Sequence, residues 1–545
     1  MRWIVSFILA LIGLTGPYAA SAQEVLDRVE PTRLEDRKVE SLRTAPVTTP
    51  EVESQQTAQG ATGENLFVGA IEITGLKQLR NSNFSDIVQS FIGQTLSSTE
   101  VSDLADRLAD RARKRFPLAS ASVIPQSLEG AILRVEIDEG QVDEIEVKGF
   151  QNRRIQAILR GLITGAPVTV RQLERALMLA RDVDGISIRE TTIRRDAGRN
   201  VLVVQGFYDR FRGQFSFDND STKPIGPFES FAFVQANGLF SHDDSLQAYL
   251  LSALPEPSEL GFARVRYAKR ADDGGTEVSV SGSFSRSKPG SYLEQFDLTG
   301  ESWMASAGVS RPLERTVRSS LWVDASFSLR QLRQERADTL SRRDRLAVAR
   351  VGWAGITKLA GGSLQSRITV SHGLDILSAT EAGDPMRSRS DADGTFTSLA
   401  MLAQWSAPIT GRASTTISVS SQLADKPLLV SEEIGLGGAR YGRGYDYSER
   451  SGDEGVMGYL EVSYDLKKVG PINGVEPYAF VDGGKVSNLS SGTGGGTLAS
   501  AGGGIRFDVD RKTDASFEVA APLTGDRYET SSKAPRIRFS VTRYF

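Results

Sequence analysis

Two hydrophobic patterns divide the chain near Tyr208. Between Phe67 and Val204 apolar residues recur at mixed helical and strand spacings, whereas beyond Tyr208 they alternate with polar residues at a period of two. In one such stretch the apolar positions are Leu321, Val323, Ala325, Phe327 and Leu329, and the positions between them are Trp322, Asp324, Ser326 and Ser328. The alternation predicts strands with one apolar face and one wet face.

The length of the alternating region predicts a closed barrel. At roughly twenty residues for each strand and its connection, residues 208–545 accommodate about sixteen antiparallel strands. A closed barrel leaves no unpaired edge in lipid, so the pattern predicts a transmembrane β-barrel. A large soluble β-sandwich or propeller is the alternative. We disfavour it because the inward faces carry too many charges for a packed soluble core.

The region before the barrel predicts two copies of one small α+β unit, residues 66–140 and 141–207. Each has the order β-α-α-β-β, and the repeat length of about seventy residues indicates an internal duplication. In the first unit we predict strands over 67–74, 121–128 and 131–138 and helices over 83–92 and 99–116. In the second we predict strands over 142–147, 188–195 and 200–204 and helices over 153–163 and 169–183.

The N-terminus predicts export. Arg2 precedes an apolar run from Trp3 to Leu14 and a small-residue end at Ala20-Ser21-Ala22, which is typical of a signal peptide over residues 1–22. Residues 23–43 then predict a weakly amphipathic helix, and the Pro-, Thr- and Gln-containing residues 44–65 a flexible linker. Such a tethered helix is either a movable plug or a tail.

The composition of the chain argues against several classes of function. The 545 residues include no cysteine and only two histidines, so no metal or cofactor site is predicted. The net charge of the chain is -4, so a strongly basic surface that could bind nucleic acid is not predicted. The sequence contains neither a nucleophile elbow nor a phosphate-binding loop, so an enzyme is not predicted, although a catalytic carboxylate pair stays open.

Motifs in both regions resemble one known family. Val123-Ile124-Pro125-Gln126 with Ala131–Val135, and the helix Leu173–Leu179, resemble parts of two POTRA domains, although Val183–Ile186 departs from the family's usual Pro-Gly ending. Gly437–Tyr445 resembles the superfamily's Arg-Gly-Tyr loop tip, with Gly442 in place of the usual valine, and Phe480–Gly484 matches Phe-x-Asp-x-Gly. The chain resembles the two-partner secretion transporters of the haemolysin activation and secretion type, whose superfamily includes barrel-assembly proteins.

The resemblance implies a set of site residues. The Arg-Gly-Tyr tip is folded into the lumen, and alternation puts Phe480 and Asp482 on one strand face, so we expect Asp482 to face the lumen and pair with Arg443. The terminal Phe545 resembles the assembly signal of bacterial outer-membrane barrels. The expected conformational lock in the lumen consists of Arg443, Gly444, Tyr445, Phe480, Asp482 and Gly484.

The resemblance also implies a function. An outer-membrane transporter with periplasmic POTRA domains would recognise an unfolded exoprotein of haemolysin or adhesin type and secrete it through the barrel without nucleotide hydrolysis. Its expected partners are this exoprotein, outer-membrane lipid and the barrel-assembly machinery that inserts it. An outer-membrane protein assembly or insertion factor is the alternative, and a passive porin is a further one.

Overall fold

The computed structural model describes residues 66–124, 131–196, 198–490 and 494–545. The predicted signal peptide, plug-like helix and linker lie outside these ranges. None of the helices within the described residues is long and apolar enough to cross a membrane. The described chain forms two α+β units followed by a closed barrel.

The first unit has the predicted β-α-α-β-β order with two differences: the first predicted strand is divided into two, and a further short strand lies between the helices. Strand β2 (Ala70–Thr74) pairs in parallel with β5 (Ile132–Asp138), and β4 (Ser120–Val123) pairs with the other edge of β5 in antiparallel fashion. Ser97 begins α2, because its Oγ accepts a hydrogen bond from the backbone N of Glu100 at 3.3 Å while Glu100 accepts one from Ser97 N. The elements are β1 Leu66–Val68, β2 Ala70–Thr74, α1 Ser85–Gln89, β3 Gln94–Leu96, α2 Ser98–Arg113, β4 Ser120–Val123 and β5 Ile132–Asp138.

The second unit repeats this arrangement without the extra strand. Strand β8 (Arg199–Tyr208) lies in the centre of its sheet, with β6 (Glu144–Lys148) parallel and β7 (Ile186–Asp196) antiparallel to it. Asn152 caps the first helix by accepting hydrogen bonds from the backbone N of Arg154 and Ile155. The elements are β6 Glu144–Lys148, α3 Arg153–Arg160, α4 Val170–Arg181, β7 Ile186–Asp196 and β8 Arg199–Tyr208.

The remaining chain forms the barrel, and the predicted strand number is confirmed. Sixteen strands pair antiparallel around a closed ring, in which the last strand pairs with the first. The first eight are β9 Phe211–Asp218, β10 Phe228–Asn237, β11 Asp244–Leu254, β12 Leu260–Arg270, β13 Glu277–Ser287, β14 Leu298–Arg315, β15 Ser319–Arg336 and β16 Thr339–Leu359. The others are β17 Gly362–Gly373, β18 Phe396–Pro408, β19 Ala413–Ala424, β22 Glu454–Tyr464, β23 Gly474–Ser487, β24 Gly496–Asp510, β25 Thr513–Pro522 and β26 Arg536–Tyr544.

The barrel has an apolar outer face and a definite orientation. Short turns such as residues 360–361 lie at the end that carries the second α+β unit, and long loops lie at the opposite end. Short turns are periplasmic and long loops extracellular in outer-membrane barrels, so the α+β units lie on the periplasmic side. Apolar side chains exposed on the outer face include Val265, Val280, Phe284, Trp303, Ile368, Val419 and Phe517.

Ion pairs attach the second unit to one side of the periplasmic rim. Arg315 at the end of β14 contacts Asp182 with an N–O distance of 2.6 Å, and Arg154 contacts Asp243 at 2.8 Å. Asp184 accepts a hydrogen bond from Ser245 Oγ at 2.8 Å. These contacts hold the second unit against the periplasmic turns between β10 and β11, between β12 and β13, and between β14 and β15.

Candidate functional site

One extracellular connection, residues 425–453, folds back into the barrel; we call it the lumen loop. Its two short strands, β20 Ile434–Leu436 and β21 Arg450–Gly452, pair with each other at its base. Gly442 turns the tip with a φ of 73°, a value that side-chain-bearing residues rarely adopt. Where the resemblance predicts valine, this chain therefore uses a conformation that favours glycine.

Arg443 meets the wall in a cluster that we call the inner arginine cluster: Arg443, Glu461, Asp482 and Glu518. Asp482 Oδ2 accepts a hydrogen bond from the backbone N of Arg443 at 3.0 Å and lies 3.6 Å from its Nε. The shorter side-chain bonds run from Arg443 Nη1 to Glu461 Oε2 at 2.8 Å and to Glu518 Oε2 at 3.3 Å. The predicted ion pair is present, but two carboxylates that the sequence prediction missed also hold the guanidinium.

The alternation of inward and outward positions along the strands could have identified Glu461 as a residue that faces the lumen. It lies on β22 two residues after Tyr459, and both side chains turn to the lumen beside Arg443. A charged residue on the inward face of a barrel strand is unremarkable by itself, however. Only the register between the loop tip and the strands identifies which of many inward carboxylates meets Arg443.

Two aromatic rings enclose the same guanidinium. Arg443 Cζ lies 4.1 Å from the ring centroid of Phe480 and 4.8 Å from that of Tyr459, within the range of cation–π contact. Burial alone lowers the pKa of Arg443, but the charges of Glu518, Glu461 and Asp482 outweigh it and raise the pKa above its ordinary value. Arg443 therefore remains a cation inside the lumen.

The predicted motif glycines lie where no side chain fits. A Cβ on Gly444 would lie 2.8 Å from Pro522 N and 2.9 Å from Ser500 Cβ, both on the barrel wall. A Cβ on Gly484 would lie 2.5 Å from Met457 Cβ on the neighbouring strand. Gly444 thus permits close approach of the loop tip to the wall, and Gly484 permits close approach between β23 and β22.

Tyr445 points away from the inner arginine cluster and anchors the loop to the β25–β26 connection. Its side chain is fully buried, and its hydroxyl lies 2.8 Å from Thr524 Oγ1. The next residue, Asp446, accepts hydrogen bonds from Arg527 at 2.8 Å and Arg536 at 3.0 Å. Burial raises the pKa of Asp446, but Arg536 and Arg527 outweigh it and hold the pKa below its ordinary value.

A second cluster at the extracellular end was not predicted; we call it the outer arginine cluster: Arg389, Asp391, Glu433 and Asp453. Arg389, in the loop of residues 374–395, has Nη1 2.8 Å from Glu433 Oε1 and Nη2 3.0 Å from Asp391 Oδ2, and it also pairs with Asp453. Burial alone lowers its pKa, but these carboxylates outweigh it and raise the pKa. The cluster joins a neighbouring extracellular loop to both ends of the lumen loop.

Phe545 lies far from these clusters at the periplasmic end. Its side chain is exposed, and its backbone N donates to Gly213 O at 2.9 Å, next to the pairing of β26 with β9. Of the sequence-predicted site residues, the fold brings Arg443, Phe480 and Asp482 into direct contact. It places Gly444 and Tyr445 beside them on the loop and Gly484 further along β23.

The fold and site define a class: an outer-membrane barrel with periplasmic POTRA domains and a loop folded into its lumen. The model of the family "Haemolysin secretion/activation protein ShlB/FhaC/HecB" matches residues 199–507. The chain belongs to this family of two-partner secretion transporters, and the predicted resemblance is confirmed. The protein is therefore located in the bacterial outer membrane and secretes a partner.

Individual relatives agree with this assignment. The heme/hemopexin transporter protein HuxB of Haemophilus influenzae strain 86-028NP is 22% identical over 72% of this chain and 70% of its own length. The outer membrane transporter CdiB of Escherichia coli is 23% identical over 88% of this chain and 82% of its own length.

Solved structures confirm the fold. CdiB from Escherichia coli superposes with a TM-score of 0.70 at 19% identity, covering 98% of this chain and all of its own. BamA from Haemophilus ducreyi lacking POTRA domains 1-3 superposes with a TM-score of 0.55 at 12% identity, covering 88% of this chain and 100% of its own. At these identities the likeness concerns the fold alone.

Proposed function

We propose that this chain captures an unfolded exoprotein with its two POTRA domains in the periplasm and passes it through the barrel lumen without nucleotide hydrolysis. The observation that carries the proposal is the tandem pair of POTRA domains joined to a barrel of this family and held against its rim. By the resemblance to the two-partner secretion transporters, the exoprotein is of haemolysin or adhesin type. Net movement would draw on folding of the exoprotein outside the cell.

The POTRA sheets supply edges for capture. Within the described part of the chain, the order β6-β8-β7 leaves β6 and β7 each paired on one side only. An extended peptide can add to such an edge as a further strand through main-chain hydrogen bonds. This binding mode suits an unfolded exoprotein, because it depends on hydrogen bonds to the peptide's main chain more than on its side chains. The second POTRA domain lies at the periplasmic rim, so a peptide bound there is close to the lumen.

The inner arginine cluster holds the lumen loop inside the barrel and so sets the secretion-competent state. The conformational lock is made of Arg443, Gly444, Tyr445, Phe480, Asp482 and Gly484, to which the geometry adds Glu461 and Glu518. The functional units are residues 1–22 for export, 23–43 and 44–65 as plug and linker, 66–140 and 141–207 for capture, and 208–545 for passage. Phe545 serves the barrel-assembly machinery as the insertion signal.

Deleting residues 142–204 tests the capture role. With the barrel still inserted, as judged by its heat-modifiable mobility on gels, we expect secretion of the exoprotein to stop. Unchanged secretion would refute capture by the second POTRA domain.

A proteomic comparison of medium and outer membrane, with and without the protein, tests the function as a whole. Loss of one or two large exoproteins from the medium supports secretion. General depletion of outer-membrane barrels would instead support the assembly-factor alternative.

A further inference from the structure

The outer face of the barrel carries a group of cations directly above its apolar band. We call Arg333, Arg343 and Arg345 the rim cations. Arg350, on the same strand as Arg343, bonds to Glu432 of the lumen loop, so even-numbered residues of β16 face inward and odd-numbered ones face outward. The pairing of Arg333 with Arg343 places all three rim cations on the outer face.

Their height matches the extracellular headgroup region. Below them the last apolar pair on these strands is Leu329 with Ala347, and Trp303 is exposed on the outer face of the adjoining strand β14. Arg333 follows Leu329 by four residues, which in a tilted strand corresponds to a rise of roughly 10 Å above the apolar band. The strands β14 to β16, at 18, 18 and 21 residues, are long enough to project beyond that band.

The rim cations are incompletely neutralised. Arg333 forms an ion pair with Glu335, and Arg286 on β13 forms one with Glu301 at 3.6 Å. Within the described ranges no carboxylate lies within ion-pairing distance of Arg343 or Arg345. The side chain of Arg345 donates to the neutral Gln331 at 3.2 Å, and its backbone N donates to Thr380 Oγ1 at 2.8 Å. Arg343 and Arg345 thus lack an ion-pair partner among the described residues.

Two of the rim cations are neighbours on adjacent strands. Arg333 and Arg343 are direct cross-strand partners on one face, an arrangement that destabilises a sheet when nothing compensates it. An anion bound between the two guanidinium groups removes that repulsion. Arginine is well suited to this role, because its planar guanidinium binds phosphate through two parallel hydrogen bonds.

We propose that the rim cations bind the phosphate groups of lipid A in the outer leaflet. In a bacterial outer membrane these phosphates lie directly above the acyl chains, at the height that Arg333, Arg343 and Arg345 occupy. The acyl chains would then pack on the apolar surface below, which includes Leu329 and the exposed Trp303. The lipid would stabilise the tall β14–β16 wall, whose inner face contacts the lumen loop through Arg350 and Glu432.

Lipid binding by the full chain tests the proposal. The purified protein in a mild detergent is titrated with bisphosphorylated lipid A or with dephosphorylated lipid A, and bound lipid is counted by native mass spectrometry. The wild-type chain should prefer the phosphorylated form, and the double variant Arg343→Gln/Arg345→Gln should bind it about tenfold more weakly. Arg343→Lys/Arg345→Lys, which keeps the charge, should retain most of the binding.

The matched control is Arg543→Gln, an outward and exposed arginine at the periplasmic end of β26. This variant also removes a positive charge from the outer surface of the barrel, but at the height of the inner leaflet, which does not contain lipid A. Its lipid A binding should therefore equal that of the wild type. Heat-modifiable gel mobility shows that each variant is folded. Wild-type binding by the double glutamine variant, or equal binding of the dephosphorylated lipid, would overturn the proposal. Displacement of the lipid by inorganic phosphate alone would make this a general anion site and overturn the lipid assignment.

Discussion

Arg443 donates from Nη1 to Glu461 Oε2 at 2.8 Å, whereas its Nε lies 3.6 Å from Asp482 Oδ2. The guanidinium therefore has its shortest contact with a residue outside both recognised motifs. Asp482 instead accepts the backbone N of Arg443 at 3.0 Å and a bond from Ser500. The two acids thus fix different parts of the loop tip, its side chain and its main chain.

Replacing Arg443 by glutamine should release the lumen loop. The change leaves Glu461, Glu518 and Asp482 without their shared cation, and breaking a buried ion pair costs about 3–5 kcal/mol in a dry interior and less in a hydrated lumen. We expect a larger single-channel conductance in planar bilayers and altered secretion. Arg511→Gln, at an exposed site in the β24–β25 turn, is the control and should leave both unchanged. If neither Arg443→Gln nor Asp482→Asn alters conductance or secretion, the loop does not set the secretion-competent state.

Replacing Gly444 by alanine should displace the same loop by steric means alone. The new Cβ would lie 2.8 Å from Pro522 N, a backbone atom that cannot move aside, and overpacking of this kind costs about 1–3 kcal/mol. The control is Gly411→Ala in a periplasmic turn, where a Cβ meets no atom within 4 Å. We expect raised conductance for Gly444→Ala only. Equal behaviour of the two variants would mean that the loop tip does not pack against the wall in the functioning protein.

The outer arginine cluster should control access to the extracellular end. Because Arg389 joins the loop of residues 374–395 to Glu433 and Asp453 at the ends of the lumen loop, Arg389→Gln should free both loops. We expect faster cleavage of these loops by protease added outside intact cells. Arg387→Gln, which removes an arginine bonded only locally to Ser390 O, is the matched control. Equal cleavage rates for both variants would show that the cluster does not restrain the loops.

A disulfide across the closing seam should distinguish passage through the lumen from lateral opening. Phe217 and Val541 are direct partners between β9 and β26, and the chain has no cysteine of its own, so Phe217→Cys/Val541→Cys can form one defined bond. We expect formation of this disulfide, by oxidation of the two thiols, to leave secretion intact, because the proposed route runs inside the barrel. The control is Ala515→Cys/Val541→Cys, which links the same β26 residue to its other neighbour. Loss of secretion on oxidation, restored by reductant in the seam variant alone, would instead indicate that the seam opens.

Local patterning accounts for the part of the site that was predicted. Period-two alternation placed Phe480 and Asp482 on one face, and the structure confirms that both turn to the lumen while Val481 turns outward. In the first POTRA domain the pattern gave both helices, but it missed β3, whose three residues are too few to show a period.

Patterns between near neighbours in the chain were enough to predict the class of the protein. Alternation, repeat length and motif spacing predicted two α+β units and a barrel of about sixteen strands, because each depends on residues that are near neighbours in the chain. The identity of the charged residues that contact one another, by contrast, depends on how the whole chain folds. Glu461 and Glu518 lie 18 and 75 residues from Arg443 in sequence. Their contact depends on barrel closure, strand register and the path of the lumen loop, and no local pattern encodes that combination. The same holds for Arg333 and Arg343, whose like charges become neighbours only when β15 and β16 pair in this register.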